Sequence, residues 1–153
     1  MAISERPKID WVDVPSGIFK MGAPASEDIM KDKFLHEVTL SGFKMSKYPV
    51  TFDQYDIYCE ATGLSKPDDN GWGRGNMPVI NVSWIDADAF AKWLGCSLPT
   101  EAQWEYACRA GSTTPFNTGN CLDTNLVNFD GNFPYKECKK GESRTGTTPV
   151  DYF

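Results

Sequence analysis

The stretch SLPTEAQWEYACRAG, Ser97 to Gly111, holds start and stop signals for one short helix. Thr100 stands at the N-cap with Gln103 three residues on. The hydroxyl can accept from a first-turn N–H while the glutamine reaches back to the cap's own N–H, which satisfies donors that a helix start otherwise leaves unpaired. Gly111 suits the left-handed cap that ends many helices. Helical spacing places Trp104, Ala107, Cys108 and Gly111 on the inner side, with Glu105 and Arg109 paired at i, i+4 outside. On that reading Cys108 is a small packed residue rather than a nucleophile.

The same signals occur twice upstream. TFDQ sets Thr51 and Gln54 at a helix start closed by Gly63, and SWID sets Ser83 and Asp86 at one closed by Gly95. Phe52, Tyr55, Cys59 and Thr62 share a side of the first helix. Trp84, Ala87, Ala91 and Leu94 form the stripe of the second, widened by Phe90 and Trp93. Further out, WVDVPSGIFKMG predicts two short strands around Pro15-Ser16-Gly17. HEVTLSGFKMSKYPV returns to strand character, with Val38 and Leu40 on one face and Phe43 and Met45 on one face after the Ser41-Gly42 break. APASEDIMKDKF between them is a polar loop, and SKPDDNGWGRGNMP is an exposed loop leading into a buried strand, PVINV. After Gly111 the clustered Gly, Asn, Asp, Ser and Thr predict a long ordered loop region with no further helix. So much irregular chain in a compact domain calls for something that holds it, such as a metal or a binding role.

Composition narrows the function classes. The chain has 153 residues, 41% hydrophobic and 24% charged, which allows one soluble domain with a proper core. A net charge of -6 argues against a nucleic-acid backbone or an anionic membrane surface as partner. No apolar run is long enough to cross a bilayer and MAISERPKIDWVDVP has no apolar signal region, so the expected location is cytoplasmic. The five cysteines, Cys59, Cys96, Cys108, Cys121 and Cys138, include no C-x-x-C step. They read as buried or idle thiols, with one disulfide between Cys121 and Cys138 left open for an oxidising compartment. His36, the only histidine, lacks a second histidine for a transition-metal set and reads as an exposed or hydrogen-bonded structural residue. Asp68 and Asp69 beside Asn70-Gly71 read as a turn, Asp86 as a cap and Asp88 as part of a solvated helix face.

GIFKMG, HEVTL, YPVTFDQY, PVINVSWIDADAFAKWLG, LPTEAQWEYACRAG, VNFDGNFPY and TPVDYF stand in this order along the chain. Together they resemble the formylglycine-generating enzyme family, also called the sulfatase-modifying factor family, from about Trp11 to Phe153. The resemblance implies an α+β fold, the sulfatase-modifying-factor variant of the C-type-lectin-like fold, with short helices around twisted sheets and much irregular loop. It implies one domain over 1–153 that lacks the family's C-terminal part. Family enzymes oxidise a client cysteine to formylglycine with dioxygen and a copper(I) ion held by two cysteines. Relatives act in ergothioneine-type sulfur chemistry, in siderophore maturation or as diversified binding proteins. The copper-holding pair lies in the family's second half and none of the five cysteines here matches it by motif. The chain is therefore expected not to bind copper or catalyse alone. The short KPDDNGWGRGNMP loop, where sulfatase-activating members carry a longer insertion, points to the family's bacterial branch.

The resemblance also implies structural calcium. Residue by residue it falls on the side chain of Asn128, the carbonyl of Phe129, the carboxylate of Glu142 and the carbonyl of Arg144, a set of hard oxygens from wrapping loops. The alternative is a solvated loop in which Asn128, Asp130 and Asn132 make turn hydrogen bonds. Partners expected on this reading are a client protein or a complementary C-terminal segment, with no nucleic acid and no membrane. The competing functions are a non-catalytic C-type-lectin-like binding or structural module, and a fragment completed by another chain.

Overall fold

The structure, a computed structural model, describes residues 6–23 and 34–153. The polar loop expected over 23–34 falls almost wholly outside them. Among the described residues four short strands precede three helices: β1 (Trp11–Val14), β2 (Gly17–Met21), β3 (His36–Leu40), β4 (Phe43–Ser46), α1 (Phe52–Thr62), α2 (Trp84–Leu94) and α3 (Glu101–Arg109). The chain divides into two compact units, one formed by Met1–Asp10, Ser46–Leu98 and Leu122–Phe153, the other by Trp11–Met45 and Pro99–Cys121.

All three helices begin in the expected capping boxes, Thr51 with Gln54, Ser83 with Asp86 and Thr100 with Gln103. Gly63 and Gly95 end α1 and α2 in the left-handed conformation. The third stop differs: Ala110, at φ 46°, is the left-handed cap of α3, and Gly111 follows it at φ 84°.

The first unit is organised by aromatic packing between α1 and α2. Phe52, Tyr55, Tyr58 and Cys59 are buried on α1, Phe90 and Ala91 on α2. Tyr55 lies 5.2 Å from Phe90, while Tyr58 meets Phe90 edge-on at 5.5 Å and Trp93 at 5.3 Å. Such pairs contribute roughly 0.5–1.5 kcal/mol each beyond their buried area. Thr62, expected on the same side, is exposed in the last turn. Trp84 is the larger departure, 71% exposed beside Ile85 at 73%. Packing on α1 uses the C-terminal half of α2, so its first turn is left uncovered. PVINV forms no strand; it carries an isolated bridge, Thr51 to Pro78, and the bond from Val79 N–H to Val50 O.

In the second unit β2 and β3 pair antiparallel from Gly17 opposite Leu40 to Met21 opposite His36, and β1 pairs with β4 in a separate two-stranded sheet. The expected alternation holds, with Val38, Leu40, Phe43 and Met45 on the half-buried positions. α3 packs on β2 through Tyr106, whose ring is 5.2 Å from Phe19. This choice of face reverses the sequence reading: Trp104 is 59% exposed and Cys108 is exposed. Glu105 and Arg109 do pair, but inward, where Glu105 accepts the Gly22 N–H at 2.9 Å and Arg109 donates to the Gly22 carbonyl at 2.9 Å. A nine-residue helix with apolar residues on both sides has no sequence signal for which side is covered. Here the two backbone groups of Gly22, free of the β2–β3 ladder, fix the answer.

Candidate functional site

The region after Gly111 contains no regular helix or strand, as expected, and is held instead by glycines, a buried threonine and an arginine. Asp130 and Ser143 form an isolated antiparallel bridge. Beside it the Gly131 N–H donates to Glu142 O at 3.1 Å and the Gly141 N–H donates to Gly131 O at 2.9 Å. The backbones approach so closely that a Cβ on Gly131 would overlap the Gly141 carbonyl, and a Cβ on Gly141 would overlap Thr124. Thr124 is buried; its hydroxyl accepts the Glu142 N–H at 3.3 Å and its carbonyl accepts from Arg144 Nη1 at 2.9 Å. The Arg144 guanidinium also lies over the rings of Tyr152, at 5.7 Å, and Phe153, at 5.6 Å.

Into this arrangement fall the four residues named from the sequence. The segment with Asn128 and Phe129 enters the Asp130–Ser143 bridge from one side, and the segment with Glu142 and Arg144 forms the other side. Asn128 Nδ2 donates to Gly146 O at 2.9 Å, which leaves Oδ1 as the atom able to meet a cation. Glu142 Oε2 is 2.8 Å from Arg144 Nη2, with the Glu142 side chain 61% exposed and that of Arg144 only 17%. An exposed carboxylate can exchange one cation for another without repacking. The donor set, one amide oxygen, one carboxylate and two carbonyls, is of the oxygen type calcium takes and supplies four of its roughly six to eight ligands. The turn bonds of the alternative reading are also present: Asp130 accepts from the Asn132 N–H and side-chain amide, both at 3.0 Å. The Asn132 N–H and the Ser143 hydroxyl hold the Asp130 carboxyl below the usual carboxylate range. Thr124, Gly131 and Gly141, which shape the region, were not singled out in the sequence; only a glycine on each side of the polar run hints at the close approach.

The free thiols stand on different elements. Cys59 is buried on α1, Cys96 is half-buried after α2 and Cys108 is exposed on α3, all three free, whereas Cys121 and Cys138 are disulfide-bonded. The last two correct the idle-thiol expectation in favour of the disulfide left open. Burial pushes the Cys59 and Cys96 thiols up, away from the thiolate that binds metal or attacks. Among the described residues no group of three or more His, Cys, Asp or Glu is arranged to hold a metal, and no helix is long and apolar enough to cross a membrane. His36 is exposed and its Nδ1 lies 2.8 Å from Phe34 O, a local structural contact. A polar cavity of about 310 Å³ in the first unit is lined by Asp10, Tyr48, Gln54, Asn76 and Asp151 among others, and by none of the four named residues.

Short helices, two-stranded sheets and long tied loops define an α+β protein of the C-type-lectin-like, sulfatase-modifying-factor type. Among solved structures it is similar to that of PvdO from Pseudomonas aeruginosa, with a TM-score of 0.60 and 32% identity over 69% of this chain and 49% of that one. The profile of the Sulfatase-modifying factor enzyme 1-like domain matches residues 2–153, and the chain belongs to that family. It is 29% identical to the formylglycine-generating enzyme of Mus musculus, over 93% of this chain and 52% of the relative. It is also 29% identical to the inactive C-alpha-formylglycine-generating enzyme 2 of Mus musculus, over 93% of this chain and 61% of the relative. The chain thus spans between half and two-thirds of the length of these curated relatives.

Proposed function

We propose that this chain is the scaffold portion of a formylglycine-generating-enzyme-like protein and does not oxidise a client cysteine by itself. The observation that carries the reading is the family match over 2–153 together with the state of the thiols: three free cysteines, two of them with raised pKa, and two in disulfide linkage. Copper(I) is held by paired soft thiolates, a state disfavoured for Cys59 and Cys96 by burial and closed to Cys121 and Cys138 by the disulfide. The test is copper(I) titration and oxygen-dependent conversion of a cysteine-containing sulfatase peptide by this chain. Neither stoichiometric copper binding nor aldehyde formation is expected; either would overturn the reading.

A second reading is a non-catalytic binding or structural module, and an inactive relative does match over 93% of this chain. Both readings use calcium as a structural ion at Asn128, Phe129, Glu142 and Arg144. Excess calcium should raise the melting temperature relative to chelator, and Glu142→Gln should abolish most of that rise. An unchanged melting temperature would remove calcium from the account. Partners on this proposal are a client protein or a complementary C-terminal segment. Trp84, Ile85 and Phe133, the last 81% exposed, support apolar association by the first unit. The disulfide-bonded Cys121 and Cys138 weigh toward an oxidising compartment and against a cytoplasmic one. Alkylation and mass measurement of the chain from its own cells would decide, five free thiols restoring the cytoplasmic assignment.

A further inference from the structure

The loop between α1 and α2 contains the only Asn-Gly step in the chain, Asn70-Gly71. Both residues are exposed and both are left-handed, Asn70 at φ 55° and Gly71 at φ 72°. The Trp72 N–H donates to Asp69 O at 2.9 Å, closing a tight turn around them. Two side chains then address the two reacting groups of a side-chain amide cyclisation. The Gly71 N–H, which would become the nucleophile, donates to Asp69 Oδ1 at 3.0 Å. The Asn70 side-chain carbonyl, which would be attacked, accepts from Asn81 Nδ2 at 3.0 Å. Asn81 is itself anchored, with Nδ2 also donating to Asp68 O at 2.7 Å, and Asp68 Oδ1 accepts the Asn70 N–H at 2.7 Å. A Cβ built on Gly71 would meet nothing within 4 Å, so that side of the turn is open.

We propose that Asn70-Gly71 is a self-modification site, at which the folded loop promotes deamidation of Asn70. Asp69 takes the proton of the Gly71 N–H as that nitrogen bonds to the Asn70 side-chain carbon. The developing oxyanion is met by the Asn81 amide, a donor aimed at the oxygen where charge gathers. Collapse of the tetrahedral intermediate breaks the bond from the same carbon to the side-chain nitrogen, which leaves as ammonia with the proton returned by Asp69. The succinimide so formed is opened by water at one carbonyl to give aspartate, or at the other to give isoaspartate. No redox partner enters the balance. The product places a third carboxyl beside Asp68 and Asp69, and the isoaspartate form inserts a methylene into the main chain of the turn. Both changes act on the link between this loop and Asn81, two residues before the α2 N-cap.

The test is peptide mapping of the full chain incubated in a mildly alkaline, non-nucleophilic buffer, with circular dichroism recorded so that conversion is scored in folded protein. Asn70 should convert at least about tenfold faster than Asn117, Asn120, Asn125, Asn128 or Asn132. Asp69→Ala should slow it by roughly tenfold, and added imidazole should restore the rate in that variant while leaving the native rate unchanged. Asn81→Ala should slow it comparably without rescue by imidazole. Conversion at the native rate in both variants, or an intact Asn70 while other asparagines convert, would overturn the assignment.

Discussion

Gly131 and Gly141 show most clearly how single residues shape the candidate site. A Cβ on Gly131 would overlap the opposing backbone and one on Gly141 the Thr124 side chain, so close backbone approach and one buried threonine together close the loops. Gly131→Ala should cost about 1–3 kcal/mol in denaturant unfolding, the range for forcing extra atoms into a packed place. It should also weaken calcium stabilisation, because the Glu142 segment is displaced. A variant with native stability would show that the two segments are held apart in solution. Tyr55 makes a second residue-scale prediction. Burial is the main cause that pushes its phenol from the ordinary 10.0 up to about 12. A raised folded-state value means the stabilisation is fully present below the unfolded pKa of 10.0 and is lost as pH rises through about 12. Tyr55→Phe, which cannot ionise, should therefore move the midpoint of base-induced unfolding upward; an unchanged midpoint would remove Tyr55 from alkaline unfolding.

The helices show what sequence can and cannot announce about an element. Their starts were legible because a capping box is a local device: the donor, the acceptor and the spacing all lie within four residues. Their buried faces were less legible. Trp84 and Trp104 sit on apolar stripes by spacing, yet both are exposed, because the covered side is decided by what packs there. For α2 that is the aromatic cluster around Phe90, and for α3 it is Phe19 and the backbone of Gly22. The inward pairing of Glu105 and Arg109 was unreadable for the same reason, since the sequence names the pair but not the carbonyl and N–H it satisfies. Ends are intermediate: glycines marked two stops, but α3 ends one residue early, on Ala110. Thr100→Ala should destabilise by about 1 kcal/mol through loss of the cap. Ala110→Gly should stabilise by up to about 1 kcal/mol, because a left-handed backbone strains any residue with a Cβ. Urea unfolding midpoints measure both; a stabilising Thr100→Ala or a strongly destabilising Ala110→Gly would contradict this account of α3.

At the scale of the molecule the family was legible because seven segments stand in order, and apart from PVINV the expected strands and helices stand where those segments placed them. The four residues named for calcium do come from two segments joined by the Asp130–Ser143 bridge. What surrounds them was not legible, because the Thr124 hydroxyl and the Arg144 guanidinium meet main-chain partners, the Glu142 N–H and the Thr124 carbonyl, that any residue type supplies. The disulfide-bonded state of Cys121 and Cys138 was open in the sequence for a similar reason: spacing alone does not say which cysteines fold together. The central claim is that this chain supplies the scaffold of the family and not its oxidation chemistry. The most direct test is to incubate the purified chain with copper(I), dioxygen and a cysteine-containing sulfatase peptide and to assay the peptide for aldehyde. The account predicts a peptide that keeps its cysteine, while formylglycine formed in proportion to the chain would contradict it.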